Sequence, residues 1–256
     1  INKRVKEMLK LVRLEGYEKR KPHQLSGGEA QRIAIARALV IDPKVLLFDE
    51  PLGHLDAKLR EELKFEIRRI QKETGKTAIY VTHDQGEAFA IADYIYILHN
   101  GRIEQKGTPI ELYANPLSPF IADFIGSSNF IEGVIEDIDE SKYFAKISTG
   151  SLVLKAHVRG DLKPRSQVVV SIRPEDISVA RSTEELKLLK EKYLNVIEGT
   201  LTKKIFVGPY IRLEIDIGYK EPIKVDVYGE RRFKYINLDV GSRIYVAFSR
   251  TAVFKK

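Results

Sequence analysis

Val45-Leu46-Leu47-Phe48 is an unbroken apolar run that stops at two acids, Asp49 and Glu50. A run of this kind predicts a strand covered on both faces, as in a parallel sheet. Residues 77–82 predict a second such strand, which ends at His83-Asp84, and Ile95-Tyr96-Ile97-Leu98 a third. Between the first two lies a helix-length stretch in which Leu59, Leu63, Ile67 and Ile70 keep helical spacing. Asp56 stands where an N-cap belongs and Gly75 where a helix ends. The succession predicts an α/β layer with a mostly parallel sheet. In such sheets functional groups gather at the carboxyl ends of strands, which is where Asp49, Glu50 and His83 stand.

The chain opens on Ile1 inside a helix-like run whose Val5, Met8, Leu9 and Val12 share one face. A mid-helix opening leads us to expect further sequence upstream. Leu25-Ser26-Gly27-Gly28-Glu29 then precedes a second helix carrying Ile33, Ala34, Ala38 and Leu39. Glycines there let backbone N–H groups approach an anion, and a helix N-terminus favours negative charge. Taken alone, a Ser-Gly-Gly turn is more often simply a helix cap. An acid after a buried strand can hold magnesium through water, and a neighbour can polarise an attacking water. Taken alone, Asp49 and Glu50 are equally two solvated acids, and a lone His83 is more often structural.

Asn100-Gly101 predicts a tight hairpin turn. Near residue 126 the character changes. Strand-like runs follow at 134–138, 143–147, 168–172, 199–207, 211–217, 223–227 and 244–248, and only 183–196 is helical or loop-like in pattern. This predicts a small all-β barrel or sandwich and two domains, residues 1–126 and 127–256.

Charge narrows the function classes. The formal net charge is +7, but Lys, Arg, Asp and Glu are spread along the chain, with no basic stripe of the kind that reads nucleic acid. With no cysteine there is neither a disulfide nor a Cys-ligated metal. No stretch approaches the ~20 apolar residues of a membrane helix, so a membrane would be reached through a partner.

The order of these features resembles the second half of an ABC-transporter nucleotide-binding domain. Residues 25–31 resemble that family's signature sequence, 45–50 its Walker B strand, 51–56 its D-loop and His83 its switch histidine. Residues 101–109, Glu111-Leu112-Tyr113 and 120–126 are similar to the tail of maltose-type importer ATPases. Ile172-Arg173-Pro174-Glu175-Asp176-Ile177 resembles their accessory TOBE or OB-type domain. The resemblance implies an incomplete P-loop NTPase-like domain, a parallel sheet plus helical subdomain, followed by an OB/TOBE-like β domain. It implies ATP and magnesium as cofactors. Leu25, Ser26, Gly27, Gly28 and Glu29 would contact nucleotide held by a second ATPase subunit. Asp49 would serve the metal, Glu50 the hydrolytic water and His83 the γ-phosphate, while Gly53 and Asp56 would couple the two sites. Permease subunits and, indirectly, a solute-binding protein would be partners, on the inner face of the cell membrane, with a sugar as the expected cargo.

Two departures stand out. The phosphate loop Gly-x-x-x-x-Gly-Lys-Ser/Thr does not occur in these 256 residues: Gly75-Lys76-Thr77 has Ile70 where its first glycine belongs and runs from helix to strand, the reverse order. The chain alone is therefore expected to hydrolyse ATP negligibly. Gly53 also stands where the family usually carries serine. A non-catalytic remnant completing a partner's site, or a regulatory module, is the alternative reading. A DNA-directed ABC ATPase would need heptad insertions or a basic patch, and neither occurs.

Overall fold

A computed structural model describes residues 1–139, 144–158 and 162–256. They form two compact units, Ile1–Ile110 and Glu111–Lys256.

The first unit runs α1 (Asn2–Leu11), α2 (Gly27–Leu39), β1 (Val45–Asp49), α3 (Ala57–Thr74), β2 (Thr77–Val81), α4 (Gln85–Ile91), β3 (Ile95–His99) and β4 (Arg102–Gly107). The α3 helix forms as its pattern requires. Asp56 accepts from the Leu59 N–H at 3.0 Å, and Gly75 closes the helix in the left-handed region at φ 63°. Leu63, Ile67 and Ile70 on its inner face are buried with Leu9, Val12, Ile35, Leu39, Leu46 and Leu52. Strands β1 and β2 pair in parallel, Val45 opposite Thr77 through Asp49 opposite Val81.

One expectation is corrected here. The two strands are covered on one face only: Leu46 is buried, but Leu47 is 75% and Ile79 56% exposed, and Val45 and Val81 share that open side. Among the described residues the parallel sheet has two strands, and helices cover one side of it. The third run joins no parallel sheet. As β3 it pairs antiparallel with β4 through Asn100 and Gly101, both at positive φ (48° and 74°), as the turn chemistry dictates.

The second unit contains most of α5 (Pro109–Ala114), then α6 (Pro119–Phe124), β5 (Asn129–Asp139), β6 (Phe144–Ser148), β7 (Val153–His157), β8 (Gln167–Ile172) and β9 (Ser178–Ala180). After α7 (Thr183–Lys192) come β10 (Asn195–Phe206), β11 (Tyr210–Asp216), β12 (Ile223–Tyr228), α8 (Phe233–Ile236), β13 (Arg243–Phe248) and β14 (Ala252–Lys255). The unit begins ahead of the change of character at residue 126. The reason lies within it: the buried Arg173 Nη1 donates to the carbonyls of Ala122 (2.7 Å) and Gly126 (2.8 Å), tying α6 to the end of β8. The strand-like run at 143–147 appears as β6 from Phe144; its Tyr143 lies outside the described residues. Strands β7, β9 and β14 were not expected from the sequence.

Two five-stranded sheets result, ordered β14-β8-β5-β6-β7 and β12-β11-β10-β13-β9, and they share one core. They are two copies of one pattern. Asn129-Phe-Ile-Glu-Gly133 opens β5 and Asn195-Val-Ile-Glu-Gly199 opens β10. Each strand bulges after its glycine, at residues 135/137 and 201/203. Each buried asparagine clips a strand of the opposite sheet. Asn129 Oδ1 accepts from the Lys224 N–H (2.7 Å) and Asn195 Oδ1 from the Lys155 N–H (2.7 Å). The last strands are exchanged: β9, from the first copy, pairs with β13, and β14, from the second, pairs with β8.

The glycines answer to close approach. A Cβ on Gly199 would lie 2.6 Å from the Asp216 carbonyl oxygen and 2.7 Å from Ile215 Cγ2. Backbone cannot swing aside as a side chain can. Gly199→Ala is therefore expected to cost about 1–3 kcal/mol of unfolding free energy, measurable as a lowered urea midpoint at unchanged slope.

Candidate nucleotide site

The carboxyl ends of β1 and β2 carry the chemistry. Glu50 leaves β1 with φ at 44°, a left-handed backbone that a non-glycine residue adopts at a cost of about 1–2 kcal/mol. Its N–H is held by the Val81 carbonyl at 3.0 Å. Its side chain meets His83, with Nδ1 3.1 Å from Glu50 Oε1 and both groups more than half exposed. A carboxylate here orients the imidazole and leaves the other ring nitrogen free to face a ligand. Asp49, one residue earlier, is also exposed.

The loop carrying His83 is fixed by groups that the sequence reading did not single out. Thr82 Oγ1 (2.8 Å) and Tyr80 Oη (2.9 Å) both donate to Oε2 of the buried Glu87. Asp84 caps α4, accepting from the Glu87 N–H at 3.0 Å. The Asp84-x-x-Glu87 spacing is the signature that could have drawn notice, although Glu87 turns inward to the two hydroxyls.

At the start of α2, Ser26 and Glu29 form a reciprocal capping box. Ser26 Oγ accepts from the Glu29 N–H (3.3 Å) and Glu29 Oε2 from the Ser26 N–H (2.7 Å), while Tyr17 Oη donates to Glu29 Oε1 (2.7 Å). The Ser26 N–H and the Tyr17 hydroxyl together hold the Glu29 carboxyl below its usual range. Leu25 is half-buried, and Ser26 and Gly27 are exposed, so this helix start is open to a ligand. Gly28 is buried, and a Cβ there would fall 2.6 Å from Leu59 Cδ1, so the glycine lets α2 and α3 approach closely.

The 51–56 loop joins Glu50 to α3. The Gly53 N–H donates to the Glu50 carbonyl at 3.2 Å, and a Cβ on Gly53 would make only ordinary contact with that oxygen, at 3.6 Å. The fold therefore does not demand glycine there. Asp56 spends one carboxylate oxygen on the α3 cap. Gly75-Lys76-Thr77 takes a purely structural place, since Lys76 Nζ pairs with Asp42 at 2.8 Å.

Comparisons with known proteins give the chain's family. The ABC transporter family model matches residues 1–53 and the TOBE domain model residues 170–254. The sulfate/thiosulfate import ATP-binding protein CysA of Bacillus cereus is 39% identical over 258 residues, covering 99% of this chain and 67% of that protein. The chain belongs to the family of ABC importer ATP-binding subunits. The spermidine/putrescine import ATP-binding protein PotA of Clostridioides difficile is 43% identical over 217 residues, covering 84% of this chain and 57% of its own length. Among solved structures, the cytoplasmic molybdate-binding protein ModG, with molybdate bound, aligns over 50% of this chain and 96% of its own at 14% identity and a TM-score of 0.44. The family's reaction is ATP hydrolysis coupled to transport, and its fold class is the one described above: an α/β nucleotide-binding part followed by a TOBE-type β domain. Among the described residues no helix is long and apolar enough to cross a membrane.

The site's donors suit a hard cation held by few protein groups. Asp49 and Glu50 offer carboxylate oxygens in the open, and no cluster of three metal-ligating side chains occurs among the described residues. That is the setting in which magnesium is bound by one or two carboxylates, retained waters and phosphate oxygens.

Proposed function

We propose that these residues work as part of an importer's energy-coupling ATPase, in which two subunits close face to face around nucleotide and reopen after hydrolysis. The observation that supports this most is the 3.1 Å approach of His83 to Glu50 at neighbouring strand ends, beside the exposed Asp49. In this reading Glu50 is the general base that takes a proton from the attacking water. His83, oriented by that carboxylate, directs its other ring nitrogen to the γ-phosphate. Asp49 would hold magnesium, and the ion would supply neutralisation of charge on the phosphate oxygens. Ser26 and Gly27 present the exposed start of α2 to nucleotide bound by the second subunit, and Leu25, Gly28 and Glu29, which are wholly or partly covered, hold that helix start in shape. Gly53 and Asp56 carry the link between the two sites. In functional terms residues 1–126 belong to the nucleotide-binding part and 127–256 to the β domain.

The partners are then a second ATPase subunit, membrane permease subunits and, through them, a solute-binding protein, with the chain at the inner face of the cell membrane. The cargo is the narrower question. The sequence resemblance suggests a sugar. The relatives reported above carry sulfate/thiosulfate and spermidine/putrescine in their names, and they lend the sugar no support. Uptake assays with labelled maltose, sulfate and spermidine, in cells with and without the gene, separate the three.

A second reading has an observation of its own. The sole Gly-Lys-Thr in the sequence is a helix end with its lysine paired to Asp42, so these residues complete a nucleotide site more readily than they cradle phosphates. Phosphate release from the purified 256-residue chain with magnesium and ATP is expected to be negligible. Turnover by the chain alone would overturn that expectation. Stimulation of a complete subunit that is weak by itself would favour the completing role.

A further inference from the structure

Three segments of the first unit carry the candidate nucleotide contacts: the start of α2, the 51–56 loop and the corner at residues 82–84. One side chain, Arg60, holds the second and third together. Its Nη2 donates to the Leu55 carbonyl at 3.0 Å, and its Nη1 faces Asp84 Oδ2 at 3.8 Å. The Leu55 side chain reaches the first segment, since a Cβ on Gly27 would lie 3.3 Å from Leu55 Cδ2. Contacts thus run from Gly27 through Leu55, Arg60 and Asp84 to His83.

Helix stability does not account for Arg60. It is the fourth residue of α3, near the end where a cation opposes the helix dipole and an acid would be favoured, and the first turn carries no acid. Nor does pairing with Asp84 account for it, because both side chains are partly exposed and such pairs stabilise little. What a guanidinium supplies is a rigid planar fork with donors pointing in two directions. Its bond to the Leu55 carbonyl is charge-assisted and so stronger than a neutral one.

Both loops are tied firmly enough to pass a displacement on. In the first, Leu52 is fully buried, and the Leu55 N–H donates to its carbonyl at 3.2 Å. In the second, Thr82 Oγ1 accepts from the Asp84 N–H at 2.9 Å and donates to the buried Glu87. Asp84 divides its carboxylate, with Oδ1 capping α4 and Oδ2 turned to Arg60. A shift of Asp84 therefore carries the adjacent His83, whose Nδ1 meets Glu50.

We propose that Arg60 is a positioning residue that couples the two ATP sites of the closed dimer. Movement at the start of α2, which faces nucleotide held by the second subunit, reaches His83, which serves the other nucleotide, through the Arg60 fork. That role rests on the ATPase reading above. Coupling of this kind appears as cooperativity between the sites.

Two substitutions in the assembled transporter test it. Arg60→Met keeps the stem and removes the fork, while Arg60→Lys keeps the charge as a single point. Both are expected to lower turnover at saturating ATP by about 10–10²-fold, the scale of a small misplacement at a reacting centre. Both should bring the Hill coefficient from above one to about one, with binding of labelled ATP within about twofold of the parent. Asp84→Asn keeps the cap acceptor and removes the charge, so it should act in the same direction, and the double variant should be no worse than Arg60→Met alone. In the purified 256-residue chain without nucleotide, Arg60→Met should shift the His83 ring resonances in NMR spectra at a melting temperature near that of the parent. A purely structural role would lower the melting temperature and leave cooperativity intact. Unmoved His83 resonances, an unchanged Hill coefficient in Arg60→Met, a parent without cooperativity, or multiplying effects in the double variant would overturn the proposal. Loss of turnover in Glu50→Gln beside an unchanged Hill coefficient in Arg60→Met sinks the coupling alone, whereas full turnover in Glu50→Gln sinks the ATPase reading beneath it.

Discussion

Replacing Glu50 by glutamine is expected to lower ATP turnover by about 10²–10⁴-fold in the assembled transporter, the range that a positioned general base contributes. Glutamine matches the size of glutamate and can still accept a hydrogen bond from His83, 3.1 Å away, so the loop should hold its place. What it cannot do is take a proton from water. Nucleotide binding should therefore persist while phosphate release nearly stops. The two are read separately, by equilibrium binding of labelled ATP and by steady-state phosphate production. A loss below about tenfold, or a loss of binding in step with turnover, would move the base elsewhere.

Phe248→Ala should bring the largest loss of stability. Phe248 lies on β13 with none of its surface exposed, in the core shared by the two sheets. Truncating a buried phenylalanine costs about 3–5 kcal/mol through lost burial and the cavity left behind. For a domain of this size that corresponds to a fall of roughly 10 °C in melting temperature. Phe233→Ala is the matched control. That ring is 54% exposed, so its removal should change stability by no more than about 0.5 kcal/mol. Similar effects from both would mean that Phe248 is not held in a close-packed core.

Much of the first unit was legible because its signals are local. The α3 helix announces its cap, its stripe and its terminating glycine within residues 56–75, and the Asn100-Gly101 turn fixes its hairpin by backbone chemistry alone. The meeting of Glu50 and His83 was legible one level up, since strands paired in parallel bring their carboxyl ends together. Coverage was not legible. An apolar run says that a strand can be buried, while whether anything lies on its second face depends on other segments, and Leu47 and Ile79 remain open.

In the second unit β7 escaped notice because its inward residues, Leu154 and Ala156, alternate with Lys155 and His157 over only five positions. Strand β9 has three residues, too few for any period to emerge. The Asn-x-Ile-Glu-Gly repeat was readable at positions 129 and 195, and a search for internal repeats would have found it.

The exchange of β9 and β14 sets a timetable for synthesis. The sheet founded by β5 and β8 receives its edge strand only when residues Ala252–Lys255 arrive. A ribosome adds about 5–20 residues each second, so β8 waits on the order of ten seconds after its own emergence before that edge is closed. Throughout that interval its unpaired N–H and C=O groups face whatever is nearby, and a neighbouring nascent chain at the same stage presents the same vacancy. Slow translation anywhere between β8 and β14 would lengthen that interval.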